Sequence, residues 1–212
     1  MAQSEHDLLH IALEDHEETY YEKRIIALAN LLMDKGIITA QELLDVLKEN
    51  EEQNPSIGAR VIARAWTDAD FKQRLLKNGK EALTEMAIQI PRRLQNIQVV
   101  ENTDSVHHVV VCTLCSCYPI PVLGPPPEWY KSEAYRSRVV NEPRAVLMEF
   151  GLELDERMQV RVVDATAEVR YLVLPRRPKG TESLTGKELA ALVTRDSMIG
   201  TGEALSPSSR RG

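Results

Sequence analysis

A chain of 212 residues, 43% hydrophobic and 27% charged, is ordinary for a soluble protein and long enough to bury one large core or two small ones. Its formal net charge of -6, with lysine and arginine scattered and forming no basic stripe, argues against a general nucleic-acid binder. No run approaches the ~18 uninterrupted apolar residues of a membrane span, and the acidic start "MAQSEHDLLHIALEDHEETYYEKR" is no signal peptide.

The first ninety residues read as helices, after an opening stretch of weak periodicity that suits an arm lying on a partner. In "YYEKRIIALANLLMDKG", Ile25, Leu28 and Leu32 fall at helical spacing and Gly36 is a natural stop. Thr39 and Glu42 form a capping box before Leu43, Leu44, Val46 and Leu47. Val61, Ile62, Ala65 and Trp66 make a further apolar face. Thr67 with Asp70 opens the short helix "DADFKQRLLK", closed by Asn78 and Gly79.

From residue 97 the pattern changes. "IQVVEN" and "VHHVVV" are short β-rich runs separated by the turn signal "NTDS". "YPIPVLGPPPEWY" carries five prolines in thirteen residues, so it reads as a rigid loop without helix or ladder. "SEAYRSRVVNEPRAVLMEFG" reads as two helices divided near Pro143, and "MQVRVVDAT" and "EVRYLVLP" alternate like paired strands. Thr185 and Glu188 cap a last helix through Leu189, Leu192 and Val193, before a disordered tail. The order predicts an α+β chain: a helical lobe over 1–90, an α/β metal-binding domain over 91–203 and a tail over 204–212.

All three cysteines stand within "VVVCTLCSCYP", spaced C-x2-C-x-C. Three thiols in one cluster build no disulfide framework, so a reducing compartment, the cytoplasm, is expected. Several readings are open for them. They could be small buried apolar residues. A C-x-x-C redox pair wants a following helix, which Pro119 and Pro121 oppose. A structural zinc site wants a fourth ligand, which His107 or His108 on the preceding strand could supply, one to each face. Alternatively, a tight curl brings three sulfurs and the backbone nitrogens of Ser116 and Cys117 to one centre with one position open. Soft thiolates select a metal such as cobalt or iron, and an open position marks a catalytic site.

"VCTLCSCYP" resembles the metal loop of the nitrile hydratase alpha subunit, and Thr113 and Tyr118 resemble its cobalt type. The resemblance extends through "GARVIARAWTDADFKQRLL", "VVENTDSVHHVVVCTLCSCYP", "EWYKSEAYRSRVVNEPRAVLMEFG", "VRYLVLPRRPKGTE" and "LAALVTRDSMIG", about residues 20 to 200. The chain is thus identified as a member of that family. The gamma subunit of thiocyanate hydrolase is similar, and "PEWY" is nearer to it.

The resemblance implies a layered α-β-β-α metal-binding domain and one Co(III) per chain, with iron the less expected metal, held by Cys112, Cys115, Ser116 and Cys117. It implies that Cys115 becomes a sulfinate and Cys117 a sulfenate, these two being the catalytic residues, while Cys112 stays a thiolate. The substrate implied is a small-molecule nitrile, hydrated to its amide by the sulfenate oxygen or a water it activates. A beta subunit, as one chain or split chains, would complete the site, and an activator protein would load the metal. Tyr118, Ile120 and Gln95 would line the substrate pocket, with Ile120 standing where the family usually has tryptophan. His107 and His108 read as packing or hydrogen-bonding strand residues, since the claw needs neither. Arg136, Arg138 and Arg144 are open to two readings, groups supporting the site or an interface and surface charges on helices, of which the second is preferred, and Trp66 and Trp129 read as packing residues.

Overall fold

Helix α1, Tyr20–Asp34, starts where Thr19 and Glu22 cap each other reciprocally. The computed structural model describes residues 19–91, 94, 96–115 and 117–207. The opening arm over 1–18 and the tail from 208 onward lie outside them. Lys35 closes α1, and Gly36 follows with φ +63°, the left-handed conformation that glycine adopts without steric cost. Helix α2, Ala40–Glu52, begins at the Thr39–Glu42 box that the sequence predicts. These helices belong to a compact unit that ends at Glu51. No residue of α1 is buried, and Ile25, Leu28 and Leu31 are exposed in this chain.

The second unit runs from Glu52 onward. It opens with α3, Pro55–Thr67, capped by the Asn54 side chain. Helix α4, Ala69–Lys77, is capped by Asp68, which accepts the Phe71 amide at 2.8 Å, and not by the predicted Thr67. Thr67 ends α3 instead: its hydroxyl donates back to the Ala63 carbonyl at 3.1 Å. Asn78 closes α4 and caps α5, Gly79–Glu85.

Four strands follow: β1 Asn96–Glu101, β2 Val106–Val111, β3 Gln159–Asp164 and β4 Val169–Leu174. The sequence suggests that β3 and β4 pair as neighbours, and they do not. Strand β1 pairs with β4 and β2 with β3, both in parallel. The chain passes from one sheet to the other through a turn at Thr166, whose hydroxyl accepts the amides of Glu168 and Val169. Parallel pairing needs long crossovers, and the segment between β2 and β3 supplies one that is mostly helical. The proline-rich stretch holds two helical turns, α6 Ile120–Leu123 and α7 Glu128–Lys131. The rigid-loop expectation fails there because Pro121 sits in a first turn, where a missing N–H costs nothing. Helices α8, Glu133–Asn141, and α9, Pro143–Glu149, divide at Pro143 as predicted. The last predicted helix, α10, covers Gly186–Ala190 and stops short of Leu192 and Val193, and Thr194 caps a further helix that the sequence reading lacks, α11, Arg195–Ile199.

Helices α4 and α5 lie on β1, α11 on β4 and α9 on β3, around a core that includes Ile62, Phe71, Leu75, Ile97, Val109 and Leu172. Helices α3 to α5 therefore belong with the strands, and the chain divides at residue 51 and not near 90. Gly200 ends α11 with φ +89°, and a Cβ there would lie 1.9 Å from the His108 carbonyl oxygen, so α11 presses directly on β2. The architecture is mixed α/β. Among the described residues no helix is long and apolar enough to cross a membrane.

Candidate metal centre

The cysteine segment joins the end of β2 at Val111 to the start of α6 at Ile120. Val111 lies opposite Asp164 in the β2–β3 register, so the segment leaves from the carboxyl end of a parallel pair, a common place for a site in α/β folds. The Sγ atoms of Cys112 and Cys115 are 3.4 Å apart, those of Cys115 and Cys117 3.2 Å, and all three lie within 4.8 Å of one another. They form no disulfide. Among the described residues this is the one group of three or more His, Cys, Asp or Glu side chains able to hold an ion.

These spacings test which ion fits. Thiolates ~2.3 Å from a metal lie ~3.8 Å apart at the tetrahedral angle and ~3.3 Å apart at right angles. The two close pairs match right angles, which disfavours a tetrahedral zinc knot and fits an ion of higher coordination number. The soft sulfur donors suit cobalt or iron. Cys112 and Cys117 are buried, whereas Cys115 is exposed beside Leu114, which is 86% exposed. The cluster thus has one open side. Burial, reinforced by bonds from Cys115 and Cys112, pushes the Cys117 thiol up to about 12. A bound cation is what would hold that sulfur as a thiolate near neutral pH. The expected backbone donor at Ser116 lies outside the described residues.

Three sets of contacts fix the curl. Asp164 accepts the Thr113 amide at 2.9 Å and the Thr113 hydroxyl at 2.6 Å. Arg136 donates to the Thr113 carbonyl at 3.3 Å, so it touches the claw segment, which favours the supporting role over the preferred reading as a surface charge. Tyr130 donates to the Cys117 carbonyl at 2.9 Å and Tyr135 to the Val110 carbonyl at 2.7 Å. Sequence reading missed Asp164, Tyr130 and Tyr135. A polar residue ending the apolar "VRVV" strand was the available signal for the first; two tyrosines five apart carried none.

Of the predicted pocket residues, Tyr118 is 3% exposed, stacks edge-on against Tyr130 and has a buried hydroxyl without a hydrogen-bond partner. Burial raises its pKa. Ile120 is half-buried at the start of α6, packed against the core. Gln95 lies outside the described residues. His107 and His108 take no part in the cluster. The His107 ring is buried between Asn102 and Gly200: Nε2–H donates to the Gly200 carbonyl at 2.7 Å and Nδ1 accepts from Asn102 at 3.1 Å. Burial lowers its pKa, consistent with this neutral tautomer. Arg138 pairs with Glu142 and Glu149, and Arg144 donates to carbonyls of Leu154, Asp155, Glu156 and Met158. Trp66 donates to the Pro175 carbonyl at 2.8 Å, and Trp129 packs on Tyr135 and Phe150.

A mixed α/β domain that gathers three sulfurs within 4.8 Å of one another, one of them open to solvent, fits the class of thiolate metal-binding proteins. The family described as nitrile hydratase, alpha chain, matches residues 19–202. The cobalt-containing nitrile hydratase subunit alpha of Pseudonocardia thermophila is 51% identical over 180 residues, 84% of this chain and 87% of that one. The thiocyanate hydrolase subunit gamma of Thiobacillus thioparus is 40% identical over 185 residues, 82% of this chain and 76% of that one. A solved double mutant of the iron-type nitrile hydratase of Comamonas testosteroni superposes with a TM-score of 0.85 at 39% identity, covering 91% of this chain and 94% of that one. This chain belongs to the nitrile hydratase alpha-chain family.

Proposed function

We propose that this chain is the metal-carrying subunit of a cobalt nitrile hydratase, which adds water to a nitrile to give the amide. The observation that carries the reading is the gathering of three sulfurs within 4.8 Å of one another, two pairs of them 3.2 and 3.4 Å apart, with Cys115 at the open side. Cobalt is favoured because relatives named as cobalt-containing are 49% and 51% identical to this chain. When bound, trivalent cobalt supplies Lewis acidity toward the nitrile C≡N.

The rest is the work of the chain. Cys112, buried at the end of β2, stays a thiolate. After oxidation by an external oxidant such as dioxygen, Cys115 would carry a sulfinate and Cys117 a sulfenate, whose oxygen either takes a proton from the water that attacks the nitrile carbon or adds to that carbon itself, a water then replacing it on sulfur. The backbone nitrogens of Ser116 and Cys117 complete the donor set. Tyr118, Ile120 and Gln95 contribute to the pocket wall, and Ile120, apolar and small, leaves room for a bulky nitrile. The exposed rim at Thr113, Leu114 and Cys115 needs a cover, which a beta subunit provides together with cations for the oxidised sulfurs. The exposed apolar residues of α1 suit the same partner. A separate activator protein loads the metal, in the cytoplasm where thiols stay reduced. The contacts of α4 and α5 with β1 and of α9 with β3 support a layered α-β-β-α domain.

Thiocyanate hydrolysis is the second reading, supported by the 40% identical gamma subunit. Ile120 offers no charge for an anion, which favours the hydratase. The deciding experiment uses chain and partner co-produced with cobalt. Amide formation from a nitrile is expected; carbonyl sulfide and ammonia from thiocyanate, without nitrile turnover, would overturn the reading.

A further inference from the structure

We infer that Tyr130 and Tyr135 are positioning residues that clamp the two ends of the cysteine segment and fix its curl before the metal arrives. The inference rests on the reading of that segment as a metal centre. Tyr130 is 0% exposed and Tyr135 5%, and each hydroxyl is committed to a backbone carbonyl. The accepting residues, Val110 and Cys117, bracket all three sulfurs. The two rings come from one rigid block. Ser132 lies between them, donating to the Trp129 carbonyl at 2.8 Å and capping α8 through the Tyr135 amide at 3.1 Å. Ring centroids of Tyr130 and Tyr135 are 5.9 Å apart, Tyr118 stacks on Tyr130 at 4.9 Å, and Trp129 on Tyr135 at 4.9 Å. The block therefore acts as a ruler between the end of β2 and the exit of the claw.

That spacing matters for chelation. A free eight-residue segment would have to be ordered as the metal binds, and the cost of ordering it would weaken the site. Held at both ends, the segment is already curled. Cys117 matters most, because on the family reading it supplies both a sulfur and a backbone nitrogen, so a tilt of that residue displaces two donors together. Each bond also satisfies a buried carbonyl, and a role limited to that would stabilise the fold without touching the metal.

The test compares the intact protein with Tyr130→Phe, Tyr135→Phe and the control Trp66→Phe, each made with cobalt and the partner subunit. Trp66→Phe removes a comparable bond, to the Pro175 carbonyl, that does not involve the cysteine segment. Cobalt per folded chain, the sulfur-to-cobalt absorption band and the melting temperature are measured. Tyr130→Phe is expected to lower cobalt occupancy at least threefold and displace the band, and Tyr135→Phe to act in the same direction less strongly. Trp66→Phe should lower only the melting temperature. Tyrosine variants with the parent's occupancy and band, whatever their melting temperature, would overturn the clamp. Should Tyr130→Phe fail to fold, Tyr135→Phe decides by the same criteria. A parent protein that takes up no cobalt would instead refute the metal-centre reading, and the clamp with it.

Discussion

Replacing Asp164 with alanine removes the acceptor shared by the Thr113 amide and hydroxyl, at 2.9 and 2.6 Å, and so releases the rim of the claw. Hydrogen bonds to a charged acceptor contribute ~1.5–3 kcal/mol each at buried sites. Both residues are exposed here, so ~1 kcal/mol per bond is the better figure, about 2 kcal/mol for the pair. That loss would raise the local opening equilibrium about thirtyfold. Native-state hydrogen exchange at the Thr113 amide reads it directly, with global stability measured in parallel. Thr113→Val keeps the amide bond and loses only the hydroxyl bond, so its exchange should rise about fivefold. The double variant should exchange no faster than Asp164→Ala, since the hydroxyl has no acceptor left to lose. An acceleration below about threefold in Asp164→Ala would refute the reasoning and leave Arg136 and the strand end as the real anchors.

Three further outcomes are expected. Gly200→Ala should cost on the order of 3 kcal/mol or more, because a left-handed φ of +89° and a backbone oxygen 1.9 Å from the new Cβ both oppose it; a loss under ~1 kcal/mol in urea unfolding would contradict this. Burial depresses the His107 pKa from 6.5, so its neutral ring contributes full stability above pH 6.5 and progressively less as pH falls toward the lower folded value. Unfolding free energies across that window should fall less steeply in His107→Gln, and an unchanged slope would exclude the buried ring as a cause. Ile120→Trp should shift kcat/KM from bulky toward small aliphatic nitriles, and an unchanged size preference would remove Ile120 from the pocket.

Local signals in the sequence are legible where one residue pair decides the outcome. The Thr39–Glu42 and Thr185–Glu188 boxes start helices because each satisfies two orphan amides by itself. The cysteine spacing leaves several readings open, and the longer motif "VCTLCSCYP", through its family resemblance, is what points to a metal site. Pairing of β1 with β4 was not legible: alternation marks a strand but not its partner, and the Thr166 turn that redirects the chain looks like any short connection. The helix-to-strand boundary misled for a related reason. Phe71 and Leu75 stand at helical spacing in α4 whether they face another helix or β1, and only the fold tells which. The supports of the claw were hidden in the same way. Asp164 stands 51 residues from Thr113, and a tyrosine hydroxyl carries no mark of the carbonyl it will reach.

The most direct test of the central claim is peptide mass spectrometry across residues 109–121 of active, cobalt-loaded protein handled without air. The proposed function predicts two added oxygens on Cys115, one on Cys117 and none on Cys112, since on that reading the oxygens belong to the reacting site, whereas a purely structural thiolate gains nothing from them. Fully active protein with three unmodified cysteines would contradict it.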